Sequence, residues 1–188
     1  MNKLKQNIEE IGTSEKQVYG KGIEHQIYSS KSNPNVVFKV GHKDVVDEWF
    51  EVFKSNSNIF PKVFRAGKMK DKNIYYVEIE KLNTKYFEKK WDDLELSLED
   101  IGAIDVDRRE SFSDLYMKYG SNSSMFVDIA KKLKKHNIDS YNFFIELLKV
   151  IKESERALLS VTGKDTIVDV HKYNFGYGGD GKIKCLDI

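Results

Sequence analysis

Two spacings of hydrophobic positions divide the chain. Up to about residue 83, apolar residues alternate with polar ones or fall in short blocks, which predicts strands at residues 17–19, 26–28, 36–40, 60–64 and 74–79. The stretch Ile74-Tyr75-Tyr76-Val77-Glu78-Ile79 is the strongest of these. One helix interrupts them at about residues 43–53, with Val45, Val46, Trp49 and Phe53 on its apolar face. A short helix within residues 1–16, carrying Leu4, Ile8 and Ile11, reads as a structural lead-in. After residue 83 the period lengthens. Phe87, Trp91, Leu94, Leu98 and Ile101 recur at alternating steps of four and three, and further helices are predicted at about residues 111–119 and 123–135. Ser140 is placed to cap a long helix reaching about residue 159, with Phe144, Leu147, Leu148, Ile151 and Leu158 inward. The period returns to that of strands at the end, where residues 174–177 and 182–186 flank Gly178-Gly179-Asp180-Gly181. An Asp-Gly pair between apolar runs signals a hairpin. This pattern predicts an α+β chain with a small lobe at 1–82 and a mostly helical one at 83–188.

Composition narrows the functions such a chain can have. The 188 residues are 40% apolar and 32% charged, enough to bury a real core. The net charge of +1 comes from 31 basic and 30 acidic residues mixed along the chain, which argues against a nucleic-acid or membrane partner. A lone Cys185 cannot form an internal disulfide, and no signal peptide or 18-residue apolar run is present, so a cytoplasmic location is expected. One cysteine and four scattered histidines, His25, His42, His136 and His171, offer no zinc-ligand spacing.

Candidate chemistry gathers at the end of the chain. Asn174 and Asp187 are equidistant from the centre of Asp180-Gly181, so an in-register hairpin would set them on facing strands, with Asp169 on the loop leading in. Two carboxylates and an amide oxygen around one opening suit Mg²⁺, a hard cation that takes oxygen ligands and keeps waters and substrate phosphates as the rest. Earlier in the chain Gly20-Lys21-Gly22 lies between two predicted strands. Glycines there let backbone amides approach phosphates, although the third position of a G-x-G-x-x-G pattern is His25 and the pair in isolation reads as an ordinary hairpin turn.

The order D-x-H-x-x-N, then a hairpin, then L-D resembles the catalytic and metal-binding segments of the protein kinase-like superfamily, which includes aminoglycoside and choline kinases. The resemblance implies that Asp169 accepts or orients the proton of a substrate hydroxyl, while Asn174 and Asp187 hold Mg²⁺. Val36-Val37-Phe38-Lys39-Val40 is similar to the family's V-A-I-K strand, which makes Lys39 the expected phosphate-binding lysine, with Gly20 and Gly22 in the loop over the nucleotide. The helix at 43–53 carries Asp47, Glu48 and Glu51, and spacing back from the following strand selects Glu48 as the acid that pairs with Lys39. Residues 80–83 would be the hinge, where backbone groups of Glu80 and Leu82 hydrogen-bond adenine. The implied fold is kinase-like and two-lobed: a five-stranded antiparallel sheet plus helix, then a reduced helical lobe with the catalytic-loop hairpin. The implied activity is transfer of the γ-phosphate of ATP to a protein or small-molecule hydroxyl.

The sequence departs from the family at Ile167, where a His or Tyr is usual, and lacks Phe-Gly after Asp187. The helices that seat a peptide substrate in protein kinases have no counterpart after that point. The substrate is therefore expected to bind through residues 84–137 or through a partner subunit, in either a minimal kinase-like unit or a fragment of one. A catalytically inactive, pseudokinase-like module that binds nucleotide or protein is the alternative.

Overall fold

A computed structural model describes residues 26–68, 74–120, 123–163 and 168–187. The predicted leading helix, the predicted strand at 17–19 and the glycine pair Gly20 and Gly22 lie outside the described residues, as does Ile167. Within them the chain is α+β. Strands β1 (Gln26–Ser29), β2 (Val36–Gly41), β3 (Val63–Lys68) and β4 (Tyr75–Glu80) form an antiparallel sheet in the order β1-β2-β4-β3. Of the five strands predicted for this sheet, these four are described.

Strand β2 is buried on both faces, and alternation sorts its residues. Phe38 and Val40 join Tyr76 in a small cluster on one face. Val37 and Lys39 point the other way, where Lys39 stands in register with Ile27 of β1 and Val77 of β4. Helix α1 (Lys43–Ser55) lies over that second face with Val46, Trp49, Val52 and Phe53 buried. The sequence pattern anticipated this helix and most of its inward residues. The strand predicted at 60–64 is shifted, however. Ile59 and Phe60 are core residues ahead of β3, and Phe60 packs on Phe53 with ring centroids 5.5 Å apart. The apolar run was packing against the helix rather than pairing in the sheet.

After β4 the chain turns helical: α2 (Thr84–Asp100), α3 (Phe112–Tyr119), α4 (Ser124–His136) and α5 (Ile138–Thr162). Polar side chains bond orphan backbone amides at the helix starts. Asn83 Oδ1 accepts from Tyr86 N (3.1 Å), and Ser111 with Asp114 forms a reciprocal capping box. The cap of the long helix is Asn137, not Ser140. Asn137 Oδ1 takes the amides of Asp139 (3.1 Å) and Ser140 (3.2 Å), and the helix therefore starts at Ile138. The Ser140 hydroxyl is buried and bonds Ser97 Oγ of α2 at 2.8 Å, a contact that ties two helices together. The same helix ends at Gly163, whose φ of +68° suits a residue without Cβ.

One apolar core runs from Val37, Val77 and Ile79 of the sheet through Leu82 into the helices. Phe87 on α2 is its junction. Its ring lies 5.9 Å from Trp91, 5.3 Å from Phe143 of α5 and 5.8 Å, nearly parallel, from Phe175. Phe175 begins the final hairpin, β5 (Phe175–Tyr177) paired antiparallel with β6 (Ile183–Cys185). This hairpin is wedged between the two parts of the fold. Asn83 and Tyr177 exchange backbone bonds (2.8 and 3.3 Å), Cys185 N donates to Ile59 O (2.7 Å), and Ile183 N donates to Glu146 of α5 (3.1 Å). No helix among the described residues is long and apolar enough to cross a membrane.

Gly176 is where the hairpin comes closest to the segment after β4. A Cβ there would lie 2.7 Å from Leu82 Cβ and 3.4 Å from Thr84 Cγ2, so the backbones could not keep their distance. Gly176→Ala is expected to destabilise the fold by about 1–3 kcal/mol, the usual scale for overpacking, as measured by urea unfolding. Wild-type stability in that variant would show that the hairpin is not held against residue 82.

Candidate functional site

The strand that carries Lys39 delivers its ammonium into the core, and the hairpin delivers the acid that answers it. Lys39 is 0% exposed. Its Nζ donates to Asp187 Oδ1 at 2.6 Å and to Leu186 O at 3.1 Å. The Asp187 side chain is 26% exposed, so this carboxylate bridges the buried cation and solvent. Burial lowers the lysine's pKa, and the charge and hydrogen bond of Asp187 oppose that shift without cancelling it. Cys185 sits beside the pair, its thiol donating to Asp187 O at 2.9 Å and pushed up to about 12 by burial and then by the Asp187 charge. Such a thiol stays protonated and inert.

The predicted pairing of Lys39 with Glu48 is not formed. Glu48 is exposed on α1, as are Asp44, Asp47 and Glu51, while Trp49 turns inward and lays its ring 4.0 Å from Lys39 Nζ. The reason is the phase of the helix: successive residues differ by about 100°, so once Val46, Trp49 and Phe53 define the buried face, Glu48 falls outside it. That signal was available in the sequence.

The loop at Asp169 is positioned by its neighbours. Val168 and Val170 are buried and leave Asp169 exposed between them. The loop closes on itself: His171 N donates to Asp169 O (3.0 Å), and Asn174 Nδ2 donates to both Asp169 O and Asp169 Oδ2 (3.0 Å each). A short 3₁₀ turn at Lys172–Asn174 brings the amide back over the acid. Lys172 then pins the loop to α2 through Asp92 (3.1 Å), and that bond, more than the Asp92 charge, raises the lysine's pKa. Because the Asn174 nitrogen is spent on Asp169, its Oδ1 is the atom a cation would use.

Hairpin register differs from the expected one by a single step. Phe175 faces Cys185 and Tyr177 faces Ile183, so the ladder centres on Asp180, and Asn174 is opposite Leu186, whose amide it accepts at 2.7 Å. The loop spans residues 178–182, closed by Gly178 N to Lys182 O (2.9 Å) and by Gly181 at φ +75°. Asp187 therefore leaves the ladder one residue beyond Asn174 and turns toward Lys39. Asp169, Asn174 and Asp187 remain on one end of the hairpin. Among the described residues no group of three His, Cys, Asp or Glu side chains is arranged to hold a metal. A cation here would draw on the Asp187 carboxylate and the Asn174 oxygen, with the Asp169 carboxylate close by, oxygen donors suited to Mg²⁺ with waters and phosphates completing the set.

Glu80, expected to offer its backbone to adenine, is engaged on both backbone and side chain. Its amide donates to Lys62 O (2.9 Å). Its carboxylate accepts from Gly179 N (2.6 Å), Lys184 Nζ (2.9 Å) and Lys62 N (3.2 Å). Burial acts to raise the carboxyl's pKa, but those three donors and the lysine charge outweigh it and hold the group below its ordinary value. Lys184 is itself buried, with Asp180 at 3.4 Å as a second partner, and a Cβ at Gly178 would come within 2.5 Å of its Cε. The Glu80–Lys184 clamp was missed from sequence; its one signal is a lysine between Ile183 and Cys185 on a strand buried on both faces. Leu82 is buried, close against Gly176.

No protein-family model matches the chain, and no curated protein matches it.

Two outcomes test these contacts. Lys39→Met should cost little stability, because Asp187 can turn to water, whereas Asp187→Asn strands a buried ammonium and should cost about 3–5 kcal/mol in chemical denaturation. Equal losses in the two variants would show that Asp187 is not the charge Lys39 depends on. For Glu80, a carboxyl held below its ordinary value contributes stability that is present above the unfolded-state pKa and lost as pH falls through the folded one. The stability gap between wild type and Glu80→Gln should be widest near neutrality and close below about pH 4. A gap that did not change with pH would remove the charge of Glu80 from the clamp.

Proposed function

We propose that the chain is an ATP- and magnesium-dependent phosphotransferase of protein kinase-like, two-lobed type, moving the γ-phosphate to a hydroxyl of a protein or small molecule. The observation that carries this reading is convergence. Lys39 of the sheet and Asp187 after the hairpin, 148 residues apart, meet at 2.6 Å, and the other strand of that hairpin follows an Asn174 amide that holds Asp169. In this reading the exposed Asp169 accepts the proton of the attacking hydroxyl as the new O–P bond forms and the bond to the departing ADP breaks. Asn174 fixes the carboxylate's orientation through its nitrogen and turns its oxygen toward the cation. Magnesium, when bound by Asp187 and Asn174, supplies the charge neutralisation that phosphoryl transfer needs. Lys39, whose partner Asp187 would be shared with the cation, would contact phosphate. The residues that follow β4, with Glu80 and Leu82, would border the base, and Gly20 and Gly22 would belong to the loop over the phosphates.

Two observations favour the second reading, an inactive nucleotide- or protein-binding module: the acids of α1 are exposed, and Lys39 is bonded to the very carboxylate that would hold metal. ATP turnover set against thermal stabilisation by ATP with Mg²⁺ separates the two, since stabilisation without turnover belongs to the module.

The roles within the site separate by substitution. Asp169→Asn should keep affinity for ATP with Mg²⁺ while transfer of labelled γ-phosphate, to water, to the protein itself or to a panel of hydroxyl compounds, falls by roughly 10²–10⁴-fold. Asp187→Asn, under conditions where it is folded, should lose magnesium-dependent binding altogether. Full transfer by the Asp169→Asn protein would overturn the assignment.

A further inference from the structure

The surroundings of Lys39 contain an element that the phosphotransferase reading does not use. An ammonium offers three N–H donors, and here two of them are answered by oxygens, Asp187 Oδ1 at 2.6 Å and Leu186 O at 3.1 Å. Both oxygens belong to the end of the hairpin. From the helix that covers this face of the sheet no carboxylate arrives: Asp44, Asp47, Glu48 and Glu51 are all exposed, and Asp47 is bonded along the surface to Lys43. What the helix supplies is the face of Trp49, itself buried, with its ring centroid 4.0 Å from Nζ; the Phe53 ring stands farther off at 5.7 Å. A cation within about 6 Å of an indole face is attracted by the ring quadrupole, most strongly when both are shielded from water.

We infer that Trp49 is the positioning residue for Lys39, holding its ammonium from the helix side by a cation–π contact where a helix carboxylate would otherwise stand. The contact differs from an ion pair in a way that matters for binding an anion. A carboxylate would direct the ammonium along one hydrogen bond and cancel its charge. The indole keeps the ammonium in place and leaves its formal charge whole. When Asp187 is drawn toward a divalent cation, Lys39 still has a partner at its back and a full charge to offer a phosphate. The ring also fills the space between β2 and α1, so movement of that helix would move the lysine.

The pairing of Trp49 with Lys39 stands on geometry, and only its consequence for ATP rests on the phosphotransferase reading. The test uses the full chain as wild type, Trp49→Phe and Trp49→Leu, each confirmed as folded by circular dichroism, with Trp49→Phe retained as the milder change should the leucine protein fail to fold. In NMR spectra the Lys39 ε-methylene protons, assigned by their disappearance in Lys39→Met, should be displaced upfield by the indole ring current, less displaced in Trp49→Phe and, in Trp49→Leu, left with only the small displacement from the more distant Phe53 ring. ATP with Mg²⁺ is the binding probe. Its Kd should rise by roughly 2- to 30-fold in Trp49→Leu, and by less in Trp49→Phe, corresponding to loss of one desolvated cation–π contact. In turnover the loss should fall on KM for ATP more than on kcat, because Asp169 is untouched.

Lys39 ε-methylene shifts that do not respond to either substitution would overturn the pairing. Unchanged ATP affinity in a folded Trp49→Leu protein that has lost the indole ring-current shift would overturn the positioning role. If wild type neither binds nor turns over ATP, the phosphotransferase reading is what fails, and the pairing is then decided by the ε-methylene shift alone.

Discussion

A lysine ammonium is stable in an apolar core only where something there answers its charge, and in this protein the answer comes from the far end of the chain. Lys39 sits within a strand buried on both faces, under the covering helix, with none of its own surface exposed. That constraint fixes where the hairpin must go. Asp187 and the Leu186 carbonyl have to arrive within hydrogen-bonding distance, which requires β6 to lie beside the sheet, with Cys185 bonded to Ile59 just ahead of β3. The aspartate remains partly in solvent, so the pair can open without leaving both charges buried.

Holding the hairpin there takes contacts from both parts of the fold. From the sheet, Glu80 gathers three donors, two of which, Gly179 and Lys184, belong to the hairpin. From the helices, Phe87 stacks on Phe175 while Glu146 takes the Ile183 amide. The backbone exchange between Asn83 and Tyr177 closes the seam at the junction itself. Polar contacts dominate on the sheet side and aromatic packing on the helical side. The first is sensitive to pH and salt, and the second to volume. The exposed Asp169 is held by the same platform, because Asn174, which fixes its orientation, immediately precedes β5.

Hydrophobic periodicity alone determined a good deal. The change from short alternating blocks to a three-and-four spacing after residue 83 marks where sheet gives way to helices, and the inward residues of α1, α2 and α5 follow from it, because amphipathic period is a local property that packing then obeys. The glycine-bounded hairpin is equally local and forms close to where the pattern puts it, one step out of the expected register, while the D-x-H-x-x-N stretch closes on itself through Asn174 and Asp169. Even the exposure of Glu48 was implicit in the positions of Val46, Trp49 and Phe53.

Tertiary structure decided everything that depends on where separate segments meet. Which carboxylate reaches Lys39 was settled by the docking of a hairpin 148 residues away, a choice that no helix-to-strand spacing encodes. The register of that hairpin depended on Gly181 adopting a positive φ and adding one residue to the loop, which shifts every facing pair by a step. Ser140 became a bridge between helices and not a cap because Asn137 lies nearer the start and Ser97 stands opposite. Glu80 became the clamp because Gly178 leaves room for the Lys184 side chain beneath the turn. Local pattern specifies elements through steric and solvation preferences within a few residues, whereas partners across the core are chosen by the one packing in which buried charges and amides are all answered.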